Sequence, residues 1–261
     1  GGRMIEAYER VMAARAKDPP TSMRFIENIF TDFTEMHGDR RFGDDKAIVA
    51  GIARLNGMPV TVIGLEKGVE IKEKVSRNFG SAHPEGYRKA LRQMKLAEKF
   101  HRPVICFVDT SGAYCGIAAE ERGQGQAIAE NLMEMMTLKT PVISILIGEG
   151  GSGGALGLAV ADQVWMLENS VYSVISPEGC ASILWKDSGK MKEAAACLKL
   201  TAEDLLSFGV IEEIISEYDG DFSLTYEDLR KKLFDTIQEN QALPMEQLLE
   251  NRYARFRRIG G

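Results

Sequence analysis

Continuous apolar stretches alternate with amphipathic stretches along most of the chain. Residues 103–109 and 141–147 are apolar almost throughout, as is typical of parallel strands that are buried on both faces. Helical spacing of apolar residues marks two further stretches, 85–100 and 120–136. This alternation predicts an α/β fold in which helices cover both faces of a mostly parallel sheet.

The chain is predicted to begin with two helices and to open its sheet with a hairpin. Residues 4–17 form the first predicted helix. The second begins near Thr21 and has one apolar face, formed by Phe25, Ile26, Ile29, Phe30 and Phe33. Asn56-Gly57 is a two-residue turn signal between apolar stretches at 47–55 and 59–65, and it therefore predicts a β-hairpin.

The second half of the chain is predicted to contain shorter elements. Strands are expected at 163–167, 171–175 and 211–215, and helices at 155–161, 226–239 and 244–256. Ser176-Pro177-Glu178 has the pattern of a helix start, with serine as the cap. Because no repeat or linker interrupts the chain, we predict a single domain over residues 1–261. Its parts are N-terminal helices over 4–36, a core over 45–215 and C-terminal helices over 221–258.

The composition argues against several classes of function. The net charge is −6, whereas proteins that bind nucleic acids are usually basic. The four cysteines, Cys106, Cys115, Cys180 and Cys197, form no C-x-x-C pair, and with three histidines they give no metal-site spacing. We find neither a signal-peptide pattern nor an apolar run that could span a bilayer. We therefore predict a cytoplasmic protein with reduced thiols and no metal, which binds neither nucleic acid nor membranes.

The most informative segment is Gly-Glu-Gly-Gly-Ser-Gly-Gly at 148–154, directly after the second buried stretch. Free backbone N–H groups of such a segment can bind negative charge at a helix N-terminus. A phosphate-binding loop is one interpretation, although no Gly-Lys-Ser/Thr follows. An oxyanion hole, in which two N–H groups stabilise a developing negative charge, is the second. Tight packing of a glycine-rich helix on the sheet is the third, and the residues alone leave the choice open.

Another loop of small residues, at 109–116, follows the first buried stretch and is named the first loop. Loops at the ends of successive strands line one edge of the sheet, where ligands bind in α/β proteins. Residues 120–122, Glu-Glu-Arg, are interpreted as a solvated helix start, since acidic residues are favoured in the first turn. Ser152 lies in a frame like that of a nucleophile elbow, but a serine hydrolase is disfavoured because no histidine obviously matches it.

At these residues the chain resembles the carboxyltransferase α subunit family of bacterial acetyl-CoA carboxylases. The matching motifs are Glu-Met-His-Gly-Asp-Arg-Arg (35–41), Arg-Asn-Phe-Gly (77–80), Pro-Glu-Gly-Tyr-Arg-Lys-Ala (84–90), Ala-Glu-Glu-Arg-Gly-Gln (119–124), Gly-Glu-Gly-Gly-Ser-Gly-Gly-Ala (148–155) and Tyr-Ser-Val-Ile-Ser-Pro-Glu-Gly-Cys-Ala-Ser-Ile-Leu-Trp-Lys (172–186). The C-terminal Asn251-Arg252-Tyr253 also resembles the ending of the family. The resemblance thus extends over most of the chain.

The resemblance implies a crotonase-like fold of the ClpP/crotonase superfamily, which is a spiral of ββα turns with flanking helices. It implies an enzyme that is active only with a homologous β subunit, typically in an α2β2 assembly with active sites between α and β. There the carboxyl group of carboxybiotin, carried on a biotin carboxyl carrier protein, moves to acetyl-CoA and gives malonyl-CoA. This is the committed step of fatty-acid synthesis. ATP is expected to be used by the biotin carboxylase component.

The resemblance also assigns roles to residues of the two loops. Gly150 and Gly151 match the family's oxyanion-hole pair and are expected to face the ureido oxygen of biotin. Gly112 and Ala113 would line the same pocket. This agrees with the chemistry, because charge develops on the ureido oxygen and on the acetyl enolate, and both need fixed donors rather than an enzyme nucleophile.

Lys67 and Gly68, in the charged loop after the hairpin, are expected to bind substrate or biotin. Lys67 would meet an anionic group, either a CoA phosphate or the biotin carboxylate, although a solvated, mobile surface loop is an open alternative. The chain departs from the family at Val69, where a basic residue is usual, and at Ser111 and Cys115, where proline is usual. These departures concern one anion contact and the shape of the first loop, and they leave the glycine pair untouched.

Two other functions remain open at this point. One is a carboxyltransferase that acts on another acyl-CoA, such as propionyl-CoA, because the acyl pocket is expected mostly on the β subunit. The other is a binding or regulatory protein that has kept the fold, against which the retention of both glycine loops argues.

Overall fold

A computed structural model describes residues 5, 6, 8, 9, 19–151, 154, 157, 158, 160–173, 186, 189, 190, 192 and 201–260. Within them, an eight-stranded sheet is covered by helices. The strands are β1 (Thr31–Met36), β2 (Ile48–Leu55), β3 (Met58–Leu65), β4 (Val104–Thr110), β5 (Val142–Gly151), β6 (Gln163–Leu167), β7 (Val171–Ser173) and β8 (Glu213–Ile215). The helices are α1 (Ser22–Ile29), α2 (Ile71–Ser76), α3 (Pro84–Lys99), α4 (Ile117–Glu121), α5 (Gln124–Met136), α6 (Ala202–Ser207), α7 (Phe222–Ala242) and α8 (Met245–Gly260).

The sheet is antiparallel at one edge and parallel elsewhere. Strands β1, β2 and β3 are antiparallel neighbours. Strands β3, β4, β5, β6 and β8 follow in that order as parallel neighbours, and β7 pairs with the last residues of β5. The predicted mostly parallel sheet is therefore confirmed. So is the hairpin, which turns at Asn56 and Gly57 with φ values of 49° and 85°.

The parallel strands are buried on both faces, as their continuous apolar sequences predict. Along β4, Val104, Cys106 and Val108 belong to one apolar core, whereas Ile105 and Phe107 belong to the other. Helices α3 and α5 cover the first core, and α1 and α7 cover the second. Because successive side chains of a strand point to opposite faces, one strand serves both cores.

The prediction of a helix through Phe33 is wrong. Helix α1 ends at Ile29, and Thr31–Met36 forms β1, an edge strand that pairs with β2. The helices predicted over 4–36 therefore give way to a strand within that range, and the sheet begins one strand before the hairpin. Phe33 fits the apolar spacing of a helix and also the alternation of a strand, so periodicity alone could not separate the two.

The helix predicted over 120–136 is interrupted in the structure. Helix α4 ends at Glu121 and α5 begins at Gln124. Gly123 lies between them with a φ of 84°, a left-handed conformation that glycine adopts without steric cost. Beside this residue, Nη2 of Arg122 donates to Oε1 of Glu85 on α3 at 3.0 Å.

Several predicted elements lie wholly or partly outside the described residues. They are the helix at 4–17, of which residues 5, 6, 8 and 9 are described and helical, the helix at 155–161, the end of the strand at 171–175 and the helix start at 176–178. The single domain over residues 1–261 stays a prediction. Among the helices that the structure describes, none combines the length and the apolar character needed to cross a bilayer.

One buried arginine anchors the C-terminal helix α8. The Nε of Arg252 donates to Oδ1 of Asp162 at 2.9 Å. Its other nitrogens donate to the carbonyl oxygens of Met135, Leu138 and Thr140 at 2.7, 2.7 and 2.8 Å. Arg252 therefore fixes α8 to the end of α5, to the segment between α5 and β5, and to Asp162 before β6.

Candidate functional site

Three charged side chains meet where neighbouring parallel strands end. Lys67 follows β3, Asp109 lies near the end of β4, and Glu149 lies near the end of β5. The Nζ of Lys67 is 2.9 Å from Oδ1 of Asp109 and 3.6 Å from Oε2 of Glu149. The carboxyl ends of parallel strands are where α/β folds bind ligands, so this cluster marks the candidate site.

The cluster depends on a bulge in β5. Val108 pairs with Leu146, but Thr110 pairs with Gly150. The chain therefore advances four residues along β5 while it advances two along β4, which leaves two extra residues in β5. The carboxylate of Asp109 fills the gap and accepts the backbone N–H of Glu149 at 3.0 Å. A Cβ on Gly148 would overlap this carboxylate, since it would lie 2.8 Å from Cγ of Asp109. Glycine at 148 is therefore required by the close approach of Asp109.

The charge of Lys67 offsets part of the negative charge of the two carboxylates. Burial raises the pKa of Asp109, and Lys67 acts in the opposite direction. Burial disfavours the charge on Lys67, but Asp109 and Glu149 outweigh it and raise the lysine pKa. The ammonium of Lys67 is thus held by two carboxylates inside the chain, with 25% of its side chain exposed. This position differs from a solvated surface loop, and the predicted contact of Lys67 with an external anion stays a prediction.

We expect Lys67→Met to destabilise the protein. The substitution removes the partner of a buried carboxylate, which typically costs about 3–5 kcal/mol. Asp109 would then take up a proton more readily, so its folded-state pKa would rise further above its ordinary value. A carboxyl group whose pKa is raised in the folded state lowers the free energy of unfolding as the pH rises from its unfolded-state pKa to its folded-state pKa. The deficit in urea unfolding should therefore be larger at about pH 8 than at about pH 5.

Lys72→Met is the matched control for this experiment, because Lys72 is an exposed lysine of the neighbouring helix α2. Its unfolding free energy should stay within about 0.5 kcal/mol of the wild type, as is usual for surface substitutions. Equal unfolding free energies for Lys67→Met and the wild type would contradict the role given to the ion pair.

Gly150 and Gly151 lie within β5 and not in a loop, which corrects the prediction that the strand ends at residue 147. They pair with Tyr172 and Ser173 of β7. A Cβ on Gly151 would overlap the carbonyl oxygen of Ser111 and lie 2.6 Å from its carbonyl carbon. Close packing is therefore the observed reason for glycine at 151, and the partner is the first loop. The oxyanion role of the pair stays a prediction.

The first loop lies directly on this strand end. A Cβ on Gly154 would lie 2.5 Å from the backbone nitrogen of Ala113 and 2.8 Å from the carbonyl carbon of Gly112. Gly112 has a φ of 153°, and a Cβ there would meet nothing within 4 Å. Its N–H donates to Oγ1 of Thr110 at 3.1 Å, which fixes the start of the loop. The structure thus brings Gly112 and Ala113 next to the glycine strand and leaves open space at Gly112, while their role in lining a pocket stays a prediction.

A histidine supports the other end of the first loop. The rings of His83 and Tyr114 stack with their centroids 4.2 Å apart. The N–H of Tyr114 donates to the carbonyl oxygen of Ala82 at 3.0 Å. The side-chain amide of Gln124 donates to the carbonyl oxygens of Ala82 and Tyr114 at 2.8 and 2.9 Å. The start of α3 therefore positions the loop, while Cys115 is exposed beside it.

Gly68 has a conformational role in the turn before α2. Its φ is 81°, and a Cβ would lie 2.8 Å from the backbone nitrogen of Lys74. Its N–H donates to the buried carboxylate of Glu66 at 2.6 Å, so this donor is already used within the chain. Val69, which follows, is 56% exposed. The predicted binding of substrate by Gly68 stays a prediction.

Two of the motifs that carry the family resemblance bind each other. Asp39 accepts from Nε of Arg88 at 2.8 Å, and Asp44 accepts from Nζ of Lys89 at 2.7 Å. Asp45 accepts the backbone N–H of His83 at 2.6 Å. Acidic residues of the 37–45 segment therefore hold the first half of α3, which in turn supports the first loop.

Sequence reasoning missed Asp109, Glu149 and His83 as members of the site. The first two could have been placed at one edge of the sheet, because adjacent buried strands end there, but the bulge that brings them together could not have been predicted. Of the trio 120–122, Glu120 and Glu121 are exposed as predicted, whereas Arg122 pairs with Glu85 at 3.0 Å. Ser152 lies outside the described residues.

Comparison with known proteins identifies the family of this chain. The family profile described as acetyl co-enzyme A carboxylase carboxyltransferase-like matches residues 3–260. A protein of Ruminiclostridium cellulolyticum, named acetyl-coenzyme A carboxylase carboxyl transferase subunit alpha, is 68% identical over 98% of both chains. A protein of the same name from Clostridium acetobutylicum is 59% identical over 98% of this chain and 95% of its own length.

A solved structure supports the fold. The transcarboxylase 12S structure, with methylmalonyl-coenzyme A and methylmalonic acid bound, matches with a TM-score of 0.68 at 18% identity. The match covers 84% of this chain and 42% of the transcarboxylase chain, so this chain spans less than half of that protein. The predicted crotonase-like α/β fold is thereby confirmed. The family profile and the close relatives show that the chain is a carboxyltransferase of the acetyl co-enzyme A carboxylase carboxyltransferase-like family.

Proposed function

We propose that this chain is the α subunit of an acetyl-CoA carboxylase carboxyltransferase. With a β subunit, it would transfer the carboxyl group of carboxybiotin, held on a biotin carboxyl carrier protein, to acetyl-CoA and form malonyl-CoA. The observation that carries the proposal is the 68% identity to a protein of that name over 98% of both chains. The reaction would take place in the cytoplasm, where it commits carbon to fatty-acid synthesis.

Exposed apolar residues beside the site support the need for a partner subunit. Helix α2 has no buried residue, although Ile71 and Val75 lie one turn apart on it and are 68% and 58% exposed. Val69 and Phe79, on either side of the helix, are also largely exposed. Such a patch indicates a protein interface. We propose that the β subunit covers it, in an α2β2 assembly.

The strand end fits a ligand that approaches the backbone. Gly150 and Gly151 carry no side chain, and the space around Gly112 is open. We propose that backbone N–H groups at this edge stabilise the negative charge on the ureido oxygen when biotin releases its carboxyl group. Lys67, Asp109 and Glu149 would hold the ends of β3, β4 and β5 in register beneath the ligand. No metal is part of this proposal, and ATP would be used by the separate biotin carboxylase component.

The test is carboxyl transfer by the chain reconstituted with its β subunit. We expect malonyl-CoA from acetyl-CoA and carboxybiotin, with kcat/KM at least about tenfold higher than for propionyl-CoA. One extra methylene in a fitted pocket changes kcat/KM by about 10–200-fold. A higher kcat/KM for propionyl-CoA would move the assignment to another acyl-CoA carboxylase. A reconstituted complex without any transfer would instead favour a regulatory role.

A further inference from the structure

A basic groove runs along the outer side of α3, on residues that the strand-end cluster does not include. Its volume is about 460 Å³. Five of its lining residues are basic, namely Arg41, Arg88, Arg92, Lys95 and Lys99, and two are acidic. The chain as a whole carries a net charge of −6, so this concentration of positive charge is local and runs against the composition.

The basic side chains of the groove differ in how far they are neutralised. Arg88 is paired with Asp39 at 2.8 Å, and the pKa of that carboxyl is lowered to about 2 by backbone N–H groups and Arg88, although burial opposes this. Lys95 is held by Glu98 and Glu134 at 2.9 and 3.3 Å. Within the described residues, the three remaining cations, on Arg41, Arg92 and Lys99, form no ion pair.

Arg92 is held in place without being neutralised. Its Nε donates to the carbonyl oxygen of Gly38 at 3.0 Å, and Nη2 donates to that of His37 at 2.9 Å. Burial and the neighbouring Arg40 lower the pKa of Arg92, and the carboxylates of Asp39 and Asp44 oppose this without reversing it. A guanidinium has five N–H donors, so the others stay available in a fixed orientation.

The groove also has an apolar floor. Leu91 is buried and Leu96 is half-buried, and both line the groove between the basic side chains. Residues 88, 92, 95 and 99 follow one face of α3, so the positive charges form a row above this floor. The volume falls within the range of about 300–1,000 Å³ that is usual for small-molecule sites.

We propose that this groove binds a small phosphorylated ligand with at least two negative charges and an aromatic or apolar portion, of the nucleoside diphosphate class. The phosphates contact Arg41, Arg92 and Lys99, and the rest of the ligand covers the leucines. This site is separate from the strand-end site, and the proposal does not depend on which acyl-CoA the enzyme uses.

The experiment measures ADP binding to the assembled α–β complex by isothermal titration calorimetry at low salt. We expect saturable binding of one ADP molecule per copy of this chain in the complex. The double variant Arg41→Gln with Lys99→Gln should weaken it at least about tenfold, because two charge-assisted contacts are lost. Neither side chain donates a hydrogen bond within the described residues, and Nζ of Lys99 lies only over the exposed ring of Phe100, so folding should be unaffected. Arg92→Lys keeps the positive charge but loses the planar guanidinium with its several N–H donors. It should therefore weaken binding about three- to tenfold.

The control is Lys231→Gln with Arg257→Gln, the same loss of charge at exposed positions on α7 and α8. It should change the ADP affinity by less than about twofold. Absence of saturable ADP binding to the wild-type complex would overturn the proposal. So would binding that the groove variant leaves unchanged, since ADP would then occupy the acyl-CoA site. Carboxyl transfer, measured in parallel, should be the same in both double variants.

Discussion

Purified without a partner, this chain is expected to make no malonyl-CoA from carboxybiotin and acetyl-CoA. It supplies one set of backbone donors at the strand ends, and the rest of the site is proposed to lie on the β subunit. Addition of that subunit should raise the rate from background to a normal turnover, which is commonly about 1–10³ per second. The measurement is malonyl-CoA formation as a function of the ratio of the two subunits, with saturation expected at equimolar amounts.

A matched pair of surface variants links this dependence to the apolar patch. Ile71→Ser removes an apolar side chain from the exposed face of α2, and it should weaken assembly with β by about tenfold or more. Met133→Ser removes another apolar side chain, 74% exposed on α5, and should leave assembly unchanged. Carboxyl transfer by the isolated chain, or equal effects of the two substitutions, would contradict the shared site at this face.

The strands that carry the site could be predicted from the sequence, but the contacts between them could not. Val104–Thr110 and the first half of β5 are buried on both faces, and their unbroken apolar sequences show this directly. The order of these strands places the two small-residue loops at one edge. No local pattern, however, encodes the two-residue bulge that puts Asp109 against Glu149, because register depends on the neighbouring strand.

The glycine segment is a second feature whose structure could not be predicted from its sequence. Its composition suggested a loop before a helix, since runs of glycine usually interrupt strands. In the structure, pairing with β7 on one side and with Thr110 on the other extends β5 to Gly151. The glycines are needed because Ser111 and Asp109 approach the backbone closely, and such an approach is visible only in three dimensions. The ion pairs of Lys67 are hidden from the sequence for the same reason, because Asp109 and Glu149 are distant from it along the chain.

Gly151→Ala is expected to lower kcat by at least about 10²–10³ in the assembled complex, the cost of losing one oxyanion donor. The added Cβ would overlap the backbone of Ser111. A backbone cannot rotate away as a side chain can, so the first loop must move and Gly112 must move with it. Both the donor geometry of β5 and the pocket lining would then change. The measurement is kcat for malonyl-CoA formation, with assembly checked by gel filtration.

Two companion variants separate this effect from a general intolerance of substitution at glycine. Gly43→Ala places a Cβ where nothing lies within 4 Å, so its kcat should match the wild type. In Gly150→Ala the Cβ would lie 2.5 Å from Cδ2 of Leu146, the end of a side chain that can be shortened. Gly150→Ala is therefore expected to lower kcat, and if this overlap alone explains the loss, Leu146→Ala should restore kcat in the double variant. If Gly150 also supplies a donor whose geometry has shifted, kcat should stay low. Near-normal turnover by an assembled Gly151→Ala complex would show that the reacting groups bind elsewhere, because no ligand at this strand end could be indifferent to a displaced first loop.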